Sequence, residues 1–308
     1  MGYGVKKLQS LVESISQGNR LSLRIGGSLL TIAIVFSSGI TGWSLEQLAR
    51  SEVIYIQLIS NLLIIIGLSS SLAAKSLRKG VEEVLSHLKE NQTDRELILA
   101  RRKLSYIVGR DVDDLDKDNI LRATAETASE NAIDGIFAPL FWMLAGCLVY
   151  NLSPSLPGPL SFAFTYKSAS TIDSMIGYKH GTYRWMGTFG AKLEDILTWL
   201  PSRLVLITLP LICKNFLNAP RVIHIAWEEG SKDSSPNSGI SESIFAHCSG
   251  TRMGGNNKYK GKTKSKPILA SWAPKATNKK VIEIINLSLR LEIVWLITSM
   301  FFGIYIRY

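Results

Sequence analysis

The sequence predicts an all-α, polytopic helical membrane protein with long helical and irregular polar loops and no sheet. Three observations lead there. Two charge-free runs, residues 25–43 and 53–74, are long enough at 1.5 Å per residue to cross a hydrocarbon core of about 30 Å. Hydrophobic residues make up 46% of 308, and mean hydropathy is +0.15, apolar for a soluble chain but too polar for spans alone. No stretch alternates apolar and polar residues as a half-buried strand does.

In chain order, residues 1–24 read as a basic amphipathic segment, with Val5, Leu8, Leu11, Val12 and Ile15 at helical spacing. Residues 25–74 hold two transmembrane helices. Lys6, Lys7, Arg20 and Arg24 precede them and Lys75, Arg78 and Lys79 follow, while Arg50 is the one cation between. The positive-inside rule therefore puts the N-terminus and the chain after residue 74 in the cytoplasm. Residues 75–134 form a cytoplasmic helical loop, with helices over 81–88, over 94–104 behind a Thr93/Glu96 capping pattern, and over 119–134. Residues 135–219 carry membrane-associated segments and an active-site loop. Within them 135–152 is interrupted by Pro139 and Gly146, 151–161 is a Pro/Ser loop, and 204–213, with Pro210, suits an interfacial or re-entrant path. Residues 220–290 read as a basic Gly/Ser/Asn-rich loop region and 291–308 as a C-terminal apolar helix. One folding unit is expected.

The net charge of +10 is concentrated: residues 251–280 contain nine Lys or Arg and no Asp or Glu. Such a segment suits anionic lipid or a phosphorylated ligand. Few aromatics are interleaved for base stacking, so no nucleic-acid partner is expected. Cys147, Cys213 and Cys248 are far apart in sequence and read as ordinary apolar residues, and the four histidines form no hydrolytic or metal-ligand pattern. The N-terminus lacks a signal-peptide layout.

The densest polar cluster is YKSASTIDSMIGYK, residues 166–179, which follows a charge-free run over 135–166. Polar groups beside lipid are expensive, which points to chemistry at a membrane. Asp173 suits a magnesium ligand or general base, and Lys167 and Lys179 suit phosphate. On the helix over 119–134, Arg122, Glu126, Glu130 and Asp134 recur every four residues, either as a metal-binding stripe or as a solvated face partly neutralised by Arg122. RDVDDLDKD (110–118) is not an EF-hand, because Asn119 and Ala125 stand where glycine and glutamate belong, and an Arg110-Asp111 ion pair is its structural reading. GNNKYKGKT (255–263) has one residue too many for a phosphate-binding Walker loop and reads as a basic, glycine-rich loop.

Taken in series, ARRKLSYIVGRD (100–111), ETASENAIDGIFAPLFW (126–142), residues 166–179, AKLEDILTWLPSRL (191–204), SPNSG (235–239) and the glycine-tyrosine stretch over 254–261 resemble the adenosylcobinamide-phosphate synthase family of cobalamin biosynthesis. The likeness spans residues 95–269. It implies a multi-pass enzyme of the cell (inner) membrane, embedded in the lipid bilayer, with its active-site loops cytoplasmic. Its reaction would join aminopropanol, or its O-phosphate, to the corrinoid adenosylcobyric acid through an amide bond, using ATP and magnesium. A carboxylate is a poor electrophile, so it must first be activated, in the simplest scheme as an acyl phosphate. On that scheme Asp173, Glu126, Glu130 and Asp195 are the catalytic carboxylates, and Glu130, Asp134 and Asp173 the metal ligands. Arg101, Arg110, Lys167, Thr171, Ser174, Lys179, Arg203, Asn237, Gly254, Gly255 and Tyr259 would bind substrate and ATP. The chain starts at Met1-Gly2-Tyr3-Gly4, just past a His-Pro-Val segment usual in the family, which leaves the number of spans open. It also has Glu194-Asp195 for a usual Asp-Asp, and Thr198 for a usual Asn. A charge-free run over 135–166 that crossed once would strand residues 166–179 on the wrong side, so that run is expected to return. The competing class is a transporter or channel subunit, against which no inverted repeat is visible.

Overall fold

The computed structural model describes residues 2–88, 93–178, 181–213 and 216–306, with side chains described up to residue 301 except at 216. The helices are α1 (Gly2–Ser16), α2 (Arg20–Leu48), α3 (Ile54–Ser71), α4 (Ala74–Leu85), α5 (Asp94–Leu104), α6 (Lys117–Ala132), α7 (Ala138–Leu152), α8 (Pro159–Ile176), α9 (Tyr183–Met186), α10 (Thr188–Thr208), α11 (Ala219–Gly230), α12 (Ser238–Ser249) and α13 (Asn278–Ile306). A π-helical turn, Ile133–Phe137, joins α6 to α7, and strands β1 (Met253–Tyr259) and β2 (Lys262–Leu269) pair antiparallel. Four helical stretches among the described residues are long and apolar enough to cross a membrane: Arg20–Leu48, Ile54–Leu85, Lys117–Leu152 and Thr188–Ile212. The chain is thus a mostly α-helical, polytopic membrane protein. It divides into two compact units, Met1–Leu72 with Ala138–Thr198, and Ala73–Phe137 with Trp199–Tyr308.

In the first unit α2 and α8 pack through small residues. A Cβ on Gly42 would lie 2.7 Å from the Ser161 backbone, so only glycine permits this approach. α7 and α8 form an antiparallel helical hairpin: a Cβ on Gly146 would lie 2.7 Å from the Gly158 carbonyl oxygen, and the Trp142 and Phe162 rings stand 6.2 Å apart. Its turn is tied to the end of α2. Trp43 Nε1 donates to the Ser155 carbonyl, and Gln47 Nε2 and Arg50 Nη1 both donate to that of Pro154. The buried Glu46 carboxylate accepts from the Gly158 and Leu160 amides at 2.7 Å each, capping orphan donors at the start of α8. The charge-free run over 135–166 therefore doubles back, as expected, and residues 166–176 are helical rather than a loop. Val5 of α1 joins Leu30, Ile34, Ile172, Ile176 and Met186 in a buried cluster. Leu29, Phe36, Leu58 and Ile65 stand more than half exposed, an apolar surface suited to lipid.

The second unit is built around α6, whose Ala123, Ala125, Ala128 and Ala132 are fully buried and let neighbours close in. The predicted cap of α5 is present: Thr93 Oγ1 accepts from the Glu96 amide, and Glu96 reaches back to the Thr93 amide. Two expectations fail here. A two-stranded hairpin stands where no sheet was expected, because MGGNNKY and KTKSKPIL carry no apolar alternation and pair mainly by backbone. The loop predicted over 220–290 contains α11 and α12 as well. Residues 204–213, expected to be interfacial or re-entrant, continue α10 into a 3₁₀ turn, Leu209–Ile212, with Val205, Leu206, Leu209 and Pro210 buried. Pro210 is tolerated because it opens that turn, where its missing N–H breaks no bond.

Candidate active site: a buried charge network in the second unit

α6 presents Glu126 to the interior, completely buried. Two arginines meet it, Arg110 Nη2 at 2.6 Å and Arg122 Nη1 at 3.1 Å, and the Gly254 amide donates to the same carboxylate at 2.8 Å. Arg122 Nη1 also donates to the Gly254 carbonyl and its Nη2 to the Asn256 carbonyl, while Arg110 Nη1 donates to Asn257 Oδ1. Burial works against the Arg110 charge, but Glu126 outweighs it and holds the guanidinium above its ordinary value, with Tyr259 adding to the field. One carboxylate thus fastens the hairpin to α6.

Gly254 makes this possible. Its φ is +84°, and a Cβ there would fall 1.8 Å from the Pro267 carbonyl oxygen, whereas Gly255 at +96° has its nearest obstacle at 3.5 Å. Gly254→Ala is expected to cost at least about 2 kcal/mol through strain and clash together, and Gly255→Ala only the strain, read as thermal unfolding in detergent.

Beside this network lies a second cluster. Glu242 on α12 is 1% exposed, and its Oε1 accepts from Lys266 Nζ on β2 at 2.6 Å. Glu242 Oε2 has no hydrogen-bond partner. Asp233 adds a carboxylate 3.6 Å from Lys266, and Glu130, half-buried one turn beyond Glu126, contributes to the field at both Lys266 and Glu242. Burial first, then the negative charges of Glu126 and Glu130, push the Glu242 carboxyl up to about 8 against the pull of Lys266. Burial opposes the Lys266 charge, but Glu242, Glu130 and Asp233 together raise it above the usual lysine range. A cation and a carboxyl that gives up its proton near neutrality share one buried spot.

The remaining candidates fall as follows. Arg203 and Asn237, from two separate sequence motifs, meet: Arg203 Nη1 donates to Asn237 Oδ1 at 2.6 Å and Nη2 to the Pro236 carbonyl at 2.7 Å. The guanidinium stacks on Trp199 at 4.8 Å and Trp227 at 5.5 Å, which fixes it in place. Arg101 Nε donates to the Leu115 carbonyl and tethers the loop before α6. Asp111 does not pair with Arg110. It accepts from the Lys260 and Gly261 amides and clasps the hairpin turn. Asp134 sits in the π-helical turn.

Lys167, Thr171, Asp173 and Ser174 belong to α8 of the first unit, as does Asp195 on α10. Thr171 and Ser174 bond back to the carbonyls of Lys167 and Thr171. Lys179 lies outside the described residues. Thr198, buried, bonds Glu194 at 2.5 Å and the Tyr166 hydroxyl at 3.1 Å. Among the described residues no three His, Cys, Asp or Glu side chains gather as a metal-binding set.

Sequence reasoning missed Glu242, Lys266 and Asp233. A signal for the first was present, since Glu242 is the only charged residue between Asp233 and Arg252. Cys213 and Cys248, far apart in sequence, are free cysteines that line the same cavity.

With this geometry in view, the chain was compared with known proteins. The profile of the family described as "CobD/Cbib protein" matches residues 1–288. The chain is 38% identical over 275 residues to "Cobalamin biosynthesis protein CobD" of Synechocystis, covering 89% of this chain and 75% of that protein. It is 32% identical over 302 residues to "Cobalamin biosynthesis protein CbiB" of Salmonella choleraesuis, covering 97% and 86%. No solved structure matches it. A profile match over nearly the whole chain, with relatives aligned along most of their length, places this protein in the CobD/CbiB family.

Proposed function

We propose that this protein, a member of a cobalamin biosynthesis family, attaches aminopropanol or its O-phosphate to adenosylcobyric acid through an amide bond, at the expense of ATP and on the cytoplasmic side of the cell membrane. The observation that carries this reading, in a chain of this family, is the buried pairing of Glu242 and Lys266 beside the Arg110–Glu126–Arg122 network. Amide ligation needs cations for two anionic reactants and a base for the incoming amine. The cluster has both.

A corrinoid carboxylate oxygen first takes the γ-phosphoryl group of ATP, breaking the β–γ anhydride and releasing ADP, and the amine nitrogen then attacks the carbonyl carbon of the acyl phosphate while phosphate leaves. The attacking ammonium must lose protons, and Glu242 is the base whose affinity is tuned for it. Lys266 stabilises the oxyanion that forms as the nitrogen adds. Glu126 serves as a positioning residue, since Arg110, Arg122 and the Gly254 amide occupy it. Magnesium that arrives on phosphates takes one or two protein carboxylates. Glu130 would hold it, and it would supply charge neutralisation at the transferring phosphoryl group. Asp173 and Lys167, both on α8 of the first unit, are assigned to substrate on the family resemblance alone.

The test is direct. Purified protein in detergent receives adenosylcobyric acid, aminopropanol phosphate, ATP and magnesium. One amide formed per nucleotide cleaved is expected, and no amide refutes the reading. Asp173→Asn should abolish turnover at unchanged expression, and full activity would remove Asp173 from the site.

A further inference from the structure

A cavity of about 630 Å³ in the second unit opens between the C-terminal end of α12 and the first turns of α13. That volume suits a nucleotide-sized ligand, for which roughly 300–1,000 Å³ is typical. None of the candidates named so far lines it.

Its most unusual wall is Trp272. The indole is 67% exposed, yet it is held by a chain of hydrogen bonds. Glu229 Oε2 accepts from His247 Nε2 at 2.9 Å and from the Ala270 amide at 2.9 Å. With its Nε2 proton engaged by the carboxylate, neutral His247 offers the Nδ1 lone pair, and Trp272 Nε1 donates to it at 3.3 Å. Glu229 and His247 are themselves largely buried. Three residues thus fix the orientation of a large aromatic ring that faces open space. Core packing does not explain that arrangement, because the ring is outside the core.

The opposite wall is cationic. Lys279, Lys280 and Arg290 line the cavity against one carboxylate, Glu283, which lies 3.6 Å from Arg290. Lys280 Nζ is anchored to the Ser249 carbonyl at 2.5 Å. Between ring and ammonium stands Gly250, the left-handed cap of α12. A Cβ there would lie 3.2 Å from Lys280 Nζ and 3.8 Å from Trp272 Cη2, so platform and cation flank one point of backbone. A flat ring to stack on and unneutralised lysines beside it are the two requirements of a ligand with a planar base and a polyphosphate tail.

We propose that this cavity binds a purine nucleotide, with its base on Trp272 and its phosphates on Lys279 and Lys280. The assignment rests on the ATP-dependent reading above and says where ATP sits. His247, which holds the Trp272 ring, lies five residues after Glu242 on α12, about 7.5 Å along its axis, so the ring platform and the proposed general base are positioned by one helix. Adenosine also forms part of the proposed corrinoid, and the lysines select the phosphorylated source.

Equilibrium binding of radiolabelled ATP to the full chain in detergent tests this, with adenosine and inorganic triphosphate as competitors. Trp272→Ala and Lys279→Glu should each weaken ATP at least tenfold. The first should spare triphosphate and the second should spare adenosine. Trp272→Phe, which keeps a ring without the N–H, should lose less than Trp272→Ala. Glu242→Gln should bind ATP normally while losing amide formation. If wild-type protein binds ATP and forms amide but neither cavity variant changes affinity by more than twofold, the cavity assignment is overturned and the ligase reading stands. If wild-type protein neither binds ATP nor forms amide, both fall.

Discussion

Glu126→Gln is expected to destabilise the second unit by about 3–5 kcal/mol, because it leaves two buried arginines without their shared counter-charge. Arg110 is 8% and Arg122 15% exposed at the side chain, so water restores little of the lost solvation. The amide of glutamine still accepts one bond, from Gly254 or from one arginine, but cannot offer charge to both. For a folding unit of this size each kcal/mol moves the melting temperature by about 2–4 °C, so a drop of roughly 6–20 °C in a detergent thermal scan is the expected reading. A drop under 2 °C would remove Glu126 as the fastening of the hairpin. The double variant Arg122→Met/Glu126→Gln separates charge from shape: it leaves one arginine instead of two and should recover part of the loss. If it is worse than Glu126→Gln alone, the penalty comes from packing around the aliphatic stem of Arg122.

How far this was legible in the sequence depends on which force shapes each part. Long charge-free runs are read directly because lipid leaves the backbone no alternative to helix: residues 25–43 fall inside α2, and α3 covers 54–71 of the run over 53–74. The Thr93/Glu96 cap is equally local and equally legible. The hairpin was hidden because its strands pair by backbone and by an ion-paired anchor, neither of which leaves a periodic pattern. The site shows the same division. Glu126 and Glu130 announce themselves as a helical stripe, yet the stripe alone leaves solvated face and functional site undecided. What decides is the arrival of Gly254, 128 residues away, on the Glu126 carboxylate. Lys266 was visible only as one of many basic residues, since its meeting with Glu242 and Asp233 is a product of tertiary folding. The pairing of Arg203 with Asn237 is of the same kind, with two short motifs explained only by each other.

A large catalytic effect is expected at Glu242. Its carboxyl is pushed up to about 8, first by burial and then by Glu126 and Glu130. A base must be ionised to act, so the rate of amide formation should climb with pH and level off above about 8, within the range where general bases work best. Glu242→Gln keeps the shape and the acceptor for Lys266 but removes the proton-accepting oxygen. Turnover should fall by about 10²–10⁴ and the rising limb should disappear. Stability separates this from a structural role. The folded-state value lies above the ordinary carboxyl value of 4.5, so the stabilisation from the protonated form is complete below about 4.5. It is then lost as pH rises towards 8. Wild-type protein should therefore lose thermal stability across that interval, and Glu242→Gln, which carries no charge at any pH, should not. A glutamine variant that is as stable as wild type at pH 8 but turns over at the wild-type rate would exclude Glu242 as the base. The opposite combination, a stable protein that binds ATP and has lost the rising limb with its activity, assigns to Glu242 the proton that the amine gives up.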